Sequence, residues 1–192
     1  MAKKVQEPKL IVELIPKTCQ YSNVRTTLKK KEWDKIRLIV YEKAGHKCEI
    51  CHQTGLEQGY RHKLECHEIW KYNDTKKIQK LVGLIALCPL CHQVKHIGRT
   101  SFIGKQKIAL DRLSNINKWN LEEVTQHVAE AYEKNKERSN FDWTLDISLL
   151  KKSPYNIVIN STETRKYEKV KYKKRKYTKK KTAKRKRPKK KT

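Results

Sequence analysis

The sequence has few acidic residues, a small apolar fraction and no long apolar run. It holds 20 Asp and Glu against 47 Lys and Arg in 192 residues, and its formal net charge is +27. This imbalance favours polyanionic partners, with nucleic acid ahead of an anionic membrane. The apolar fraction is 36%, which is low for a globular domain, so we expect part of the chain to lie outside the core.

No segment is apolar over the length of a membrane-spanning helix. The longest apolar run, residues 81–88, has eight residues including a glycine, whereas a spanning helix needs about 20. The N-terminus has no apolar stretch followed by a cleavage-site pattern. We therefore expect an intracellular protein with no membrane partner, in the cytoplasm or nucleoid, or in the nucleus or a virion if the source is eukaryotic or viral.

The positive charge is concentrated towards the C-terminus. Residues 165–192 contain 18 Lys and Arg and one acidic residue, and so carry 17 of the 27 net charges. Such a segment cannot bury enough apolar surface to offset its ordering entropy, so we predict a disordered basic tail. The tail is expected to bind DNA, or alternatively RNA, mainly through phosphates. The predicted contacts are Lys173, Lys174, Arg175, Lys176, Lys184, Arg185, Lys186 and Arg187.

The rest of the chain is predicted to form one α+β domain. Pro8 and Pro16 interrupt short apolar groups near the N-terminus, which favours an extended segment there. Residues 143–150 alternate apolar and polar side chains in part, which indicates a strand or a short docked tail. The predicted parts are an extended segment (1–30), a helix plus a metal-binding module (31–98), a helical part of the same domain (99–150) and a linker (151–164).

Apolar residues at three- and four-residue steps predict three helices. The first covers residues 31–44, and Gly45 follows it as a C-terminal cap. The second covers about residues 108–116. The third begins at Asn120, with Glu123 three residues on as the partner of a capping box. Helices of this length with apolar faces are expected to pack around the module.

Four of the six cysteines form two matched pairs. Cys48-Glu-Ile-Cys51 and Cys88-Pro-Leu-Cys91 both have C-x2-C spacing, and 36 residues separate them. One such pair presents two thiolates from a single turn, and two pairs complete a tetrahedral Zn2+ site. Because four thiolates fill all four positions, we expect a structural zinc. The other two cysteines are expected to be small buried side chains.

Three histidines lie between and beside these pairs. His67 is in the strand-like sequence LECHEIW, and His92 and His96 follow the second pair. These last two are four residues apart, so on a helix that Gly98 ends they share one face and can bind one divalent ion. His67 and Glu68 would add a ligand and a proton acceptor.

The frame C-x2-C, then LECHEI, then LCPLCHQVKH resembles the HNH endonucleases of the ββα-metal superfamily, in the variety that a four-cysteine zinc braces. The resemblance covers residues 46–98. It implies a zinc-braced ββα module that hydrolyses DNA phosphodiester bonds with Mg2+ or Mn2+, or with Zn2+ as an alternative. It places His67, His92 and His96 on the catalytic ion and Glu68 at the position of the general base, so His67, Glu68 and His92 are the implied catalytic residues.

Two positions depart from the family pattern. Glu68 stands where the family has a histidine base, and Gly83 where it has an Asn that braces the loop before the second cysteine pair. A carboxylate is a weaker base than imidazole unless burial raises its pKa, and a one-residue shift would instead make His67 the base.

Two other functions are alternatives to the endonuclease. One is a noncatalytic zinc-containing protein that binds or packages DNA in a virion or chromatin, and the other is an RNA-binding protein. The oligomeric state stays open.

Overall fold

The computed structural model describes residues 7–159, and their fold is α+β, as the sequence predicts. Helices surround a three-stranded sheet. Within the described residues no helix is both long and apolar enough to cross a membrane. The predicted basic tail, with its eight nucleic-acid contacts between positions 173 and 187, lies outside the described residues.

The N-terminal part leads into two helices. The chain is extended up to a short 3-10 helix at Lys17–Cys19, then forms α1 (Val24–Thr27) and α2 (Lys30–Lys43). Helix α2 buries Ile36 and Val40, which lie four residues apart, or about one helical turn. Gly45 follows with a φ of 58°, the left-handed conformation that glycine adopts readily. The predicted helix and its end are confirmed.

A β-hairpin supplies two of the three strands of the sheet. Strands β1 (Glu65–Asn73) and β2 (Ile78–Leu87) pair antiparallel, with a register irregularity between Ile69 and Trp70. Strand β3 (Thr144–Asp146) pairs parallel with the start of β2 and completes the sheet. The predicted strand around His67 is therefore one arm of the hairpin, and the alternating segment near residue 145 supplies the third strand.

Two short helices follow the hairpin, where the sequence predicts one helix ended by Gly98. Helix α3 (Pro89–Lys95) stops at His96, whose φ and ψ are −104° and 41°, and α4 (Ile97–Phe102) begins directly after it. Gly98 therefore lies inside α4. A Cβ atom there would lie 3.4 Å from Cδ2 of Leu14 in the N-terminal segment, which is an ordinary van der Waals contact.

Two longer helices complete the domain. Helix α5 (Gln106–Asn117) packs on α3, and α6 (Leu121–Arg138) follows it. Asn120 caps α6: its side chain accepts a hydrogen bond from the Glu123 N–H, and the Glu123 carboxylate accepts one from the Asn120 N–H. This is the capping box that the sequence predicts.

The core draws on segments from both ends of the described chain. Leu10 is fully buried, and its backbone exchanges hydrogen bonds with the side chain of Asn117. At the other end, Tyr155 and Ile157 are buried in the same core, and the Ile157 N–H donates to the Leu150 carbonyl at 2.8 Å. The packed part of the chain therefore extends beyond the predicted boundary at residue 150.

Candidate metal centres

The hairpin and α3 bring two groups of metal-ligating side chains together. The first group contains four cysteine thiols and the second three histidine rings. In each group every residue has a ligand atom that lies within 4.8 Å of the others. The members are Cys48, Cys51, Cys88 and Cys91 in the first group, and His67, His92 and His96 in the second.

Tight local structure presents the four thiols. Cys48 and Cys51 share a turn that the His52 N–H closes on the Cys48 carbonyl at 2.8 Å. Cys88 is the N-cap of α3, and Cys91 lies in the first turn of that helix. All four thiols are free. The sulfurs of Cys51 and Cys88 are 3.6 Å apart, close to the ~3.8 Å that ligands at 2.3 Å make around a tetrahedral zinc and far from a disulfide bond. The thiol cluster can hold a metal ion.

Two donors from outside the C-x2-C pairs contact the sulfurs. The Gln58 side-chain amide donates to Cys88 Sγ at 3.2 Å, and Nη2 of Arg112 on α5 lies 3.5 Å from Cys91 Sγ. A divalent ion with four thiolates carries a net negative charge, which a guanidinium and an amide N–H stabilise. Arg112 is far from the cysteines in the sequence, so no local spacing identifies it.

The three histidines come from three different local structures. His67 lies on β1, His92 on α3, and His96 at the junction of α3 and α4. The ring centroids are 5.4 Å apart for His67 and His92, 4.9 Å for His67 and His96, and 4.5 Å for His92 and His96. His92 and His96 lie close together as predicted, although α3 ends before His96 rather than at Gly98, and β1 adds His67 to the same group.

Two glutamates that the sequence analysis does not identify hold these rings. Glu65 Oε2 lies 2.8 Å from His92 Nδ1, and Glu13 Oε2 lies 3.0 Å from His67 Nε2. Glu13 also accepts a hydrogen bond from the buried Lys95 at 2.6 Å. Glu65 could have been found, because residues i and i+2 of a strand share a face. Glu13 has no such local relation to His67.

The protonation states of these groups follow from burial and contacts. Burial raises the pKa of Glu65, but its hydrogen bonds and electrostatic interactions with His92 and His62 outweigh this effect and bring the pKa to about 2. Burial, with electrostatic interactions with His92 and His67, lowers the pKa of His96 to about 3. Burial also lowers the pKa of His67, against the opposing effect of Glu13. Neutral imidazole is the form that binds metal ions.

Glu68 lies next to His67 on β1, and neighbouring strand residues point to opposite faces. Its Oε1 accepts a hydrogen bond from the Val24 N–H of α1 at 2.8 Å. Burial raises the pKa of Glu68 to about 7, although the N–H groups of Val24 and Arg25 partly counter it. Glu68 is outside the histidine group, but it lines the same cleft.

Gly83 lies within β2, paired with Ile69 of β1. The position that the HNH resemblance aligns with a loop Asn is thus part of a strand here. A Cβ at Gly83 would lie 3.4 Å from Ile69 Cδ1, which is ordinary contact distance. The bracing role of the family Asn has no counterpart at this position.

A cleft of about 1230 Å3 leads to the three histidines. Its walls come from the N-terminal segment, α1, α2, β1 and the α3–α4 region, with contributions from α6. His67, His92 and His96 all line it, together with Glu13, Glu65 and Glu68. The histidine group is therefore reachable from solvent through the cleft, whereas three of the four cysteines are fully buried.

Comparison with known proteins adds one partial similarity. No family model matches the sequence, and no solved structure matches the chain. A curated surface lipoprotein assembly modifier of Moraxella catarrhalis is 33% identical over 108 residues, which are 55% of this chain and 21% of that protein. The chain therefore spans about a fifth of the length of this curated relative.

Proposed function

We propose that the protein is a metal-dependent endonuclease of the HNH kind that hydrolyses DNA phosphodiester bonds. The observation that carries the proposal is the convergence of His67, His92 and His96 beside a separate group of four thiols. Four protein ligands close a metal site, whereas three leave a position for water or substrate. The thiol cluster suits a structural role, and the histidine group suits chemistry.

The two groups suit different ions. Four thiolates favour Zn2+, and a reducing intracellular compartment would keep the thiols available for it. Imidazole nitrogens favour transition ions over Mg2+. We therefore expect Mn2+, or Zn2+ as the alternative, to support activity at lower concentration than Mg2+. An ion held by His67, His92 and His96 would supply Lewis-acid stabilisation of the scissile phosphate and the leaving oxygen.

The side chains around the histidines supply orientation and proton transfer. Glu65 and Glu13 hold the rings of His92 and His67 through their non-ligating nitrogens. Glu68 lies on the other face of β1 from His67 but lines the same cleft, and it is the proposed acceptor of the proton of the attacking water. In the hydrolysis, the water oxygen forms a new bond to phosphorus, the ester P–O bond breaks, and the proton passes to the leaving oxygen.

The basic tail is the proposed anchor on DNA. Residues 165–192 carry 17 of the 27 net charges. In a plot of the logarithm of the binding constant against the logarithm of the salt concentration, each phosphate contact on duplex DNA makes the slope steeper by about 0.9. Contacts through Lys173, Arg175 and their neighbours would raise affinity without selecting a sequence. We expect binding that weakens steeply with salt.

The proposal is tested by incubating full-length protein with supercoiled plasmid and Mn2+ or Mg2+, with and without EDTA. His92→Ala removes one proposed ligand. His46→Asn is the matched control, because it removes an exposed histidine outside both metal groups and Asn tolerates the left-handed φ of 57° there. We expect metal-dependent nicking by the unaltered protein and the control, and none by His92→Ala. Equal nicking by all three proteins would show that the histidine group is not the catalytic centre.

A noncatalytic DNA-binding or packaging protein is the second candidate. The charge of +27 and a carboxylate at the base position favour it. In that case the protein would bind the plasmid tightly and salt-sensitively but would not cut it with any ion. Preferential retention of RNA over DNA of the same length would instead support an RNA-binding role.

A further inference from the structure

The histidine group lines the cleft, and its side chains are buried or half-buried. The exposed fraction of His67 is 4%, and that of the His92 side chain is 19%. A phosphate must therefore enter the cleft to reach the ligand nitrogens. Duplex DNA is stiff, with a persistence length of about 50 nm, and it keeps each phosphate on the surface of a wide rod. An unpaired strand bends easily and can lead one phosphate inward.

The cleft walls carry five Lys and Arg side chains and four carboxylates. Glu65 contacts His62 and His92, and Glu68 accepts a hydrogen bond from the Val24 N–H. Glu13 is paired with Lys95 and His67, and Asp34 with Lys30 and Arg37. Arg25 of α1 and Arg99 of α4 also line the cleft, and both are exposed. Since the four carboxylates already have partners, these two exposed guanidiniums can contact phosphates of a strand that enters the cleft.

Aromatic side chains line the same cleft. Trp33 and Tyr41 come from α2 and are half-buried, and Tyr132 of α6 is 42% exposed. The Tyr41 hydroxyl donates to the Leu64 carbonyl at 3.2 Å, which fixes its ring. Cationic grooves that also present aromatic rings are typical of single-strand binding, because every base has a face that can stack.

We infer that the cleft takes an unpaired DNA strand, such as a gap, a bubble or a single-stranded end, rather than intact duplex. This inference rests on the proposed endonuclease function and names its substrate class. Arg25 and Arg99 would hold the backbone of the strand, and Trp33 would stack on a base next to the scissile phosphate.

The test compares cleavage of one DNA sequence in three forms: a single strand, a perfect duplex, and a duplex with a central unpaired bubble. Full-length protein with Mn2+ is used for all three. We expect the single strand and the bubble to be cut at least about tenfold faster than the duplex, with bubble cuts confined to the unpaired region. Cleavage of the perfect duplex at an equal or higher rate would overturn the inference and leave the proposed function intact.

Absence of cleavage on every form would instead remove the proposed function. The inference would then be judged by binding at raised salt, where the contribution of the basic tail falls. An unlabelled single strand should displace a labelled one at least about tenfold better than duplex of the same length. Equal displacement would overturn the inference.

Variants separate strand contacts from folding. Arg25→Ala and Arg99→Ala should lower single-strand cleavage about tenfold each, whereas Arg61→Ala, an exposed arginine outside the cleft lining, should not. Trp33→Leu keeps an apolar side chain on α2 but removes the stacking ring, and Trp33→Phe restores a ring. We expect Trp33→Phe to recover the rate of single-strand cleavage that Trp33→Leu loses. Equal rates for the Leu, Phe and unaltered proteins would exclude stacking by Trp33.

Discussion

Glu65 and His92 join the hairpin to α3 through a contact of 2.8 Å between Oε2 and Nδ1. Because Nδ1 of His92 is held by the carboxylate, Nε2 is the nitrogen left for a metal ion. His67 has the reverse arrangement, since Glu13 holds its Nε2 and leaves Nδ1. The two carboxylates thus orient two rings from different elements towards one point.

Glu65→Gln should weaken metal binding at the histidine group by about 10- to 100-fold, because the amide keeps the shape of the side chain but loses the charge that holds and orients His92. Calorimetric titration with Mn2+ measures the change. Glu133→Gln, on the exposed face of α6, is the matched control and should bind Mn2+ as the unaltered protein does. An unchanged affinity in Glu65→Gln would show that the contact does not support the site.

Cys88→Ser should reduce the zinc content of the purified protein by about one equivalent, because serine is a poor zinc ligand. The loss should lower the free energy of unfolding by about 4 kcal/mol or more, since a structural metal contributes directly to folding. Elemental analysis and thermal unfolding measure both effects. Cys66→Ala removes a thiol outside the cluster and should keep the zinc; equal zinc contents in the two variants would contradict the four-thiol site.

Gly98→Ala and Gly45→Ala should change stability in opposite directions. Gly98 lies inside α4, where alanine stabilises a helix by up to about 1 kcal/mol relative to glycine, and the added Cβ would make an ordinary contact with Leu14. Gly45 has a φ of +58°, so alanine there should cost about 1 kcal/mol. Urea unfolding measures both values. Destabilisation of about 1 kcal/mol by Gly98→Ala would support the left-handed cap that the sequence predicts.

Lys95→Met should lower the free energy of unfolding by about 2 kcal/mol, because it leaves the partly buried Glu13 with one cationic partner fewer. Methionine retains the packing of the lysine stem. Lys107→Met breaks an exposed pair with Asp111 on α5 and should cost less than about 0.5 kcal/mol. Chemical unfolding measures the free energy of unfolding of both variants. A similarly small loss in the two would mean that the buried pair of Lys95 and Glu13 contributes no more than the exposed pair of Lys107 and Asp111.

Most of the secondary structure could be predicted because its signals are local. The capping box of Asn120 and Glu123 and the left-handed Gly45 both occur where short sequence patterns place them. Gly98 is the exception. Its neighbours in the sequence resemble a helix end, but α3 ends before His96, and Gly98 lies inside the next helix, α4, facing Leu14, which is more than 80 residues away in the chain.

The sequence itself determined which ligands of the candidate centres lie together locally. C-x2-C spacing places two sulfurs in one turn, and four-residue spacing places His92 and His96 about one helical turn apart at the end of α3, because turn and helix geometry repeat over a few residues. The addition of His67 and the meeting of the two cysteine pairs depend on the tertiary structure. The tertiary structure alone decided which groups surround these ligands: Glu13 beside His67, Arg112 beside Cys91, and the cleft above the histidines. These contacts join residues at least 21 positions apart, and they depend on how whole elements pack against one another.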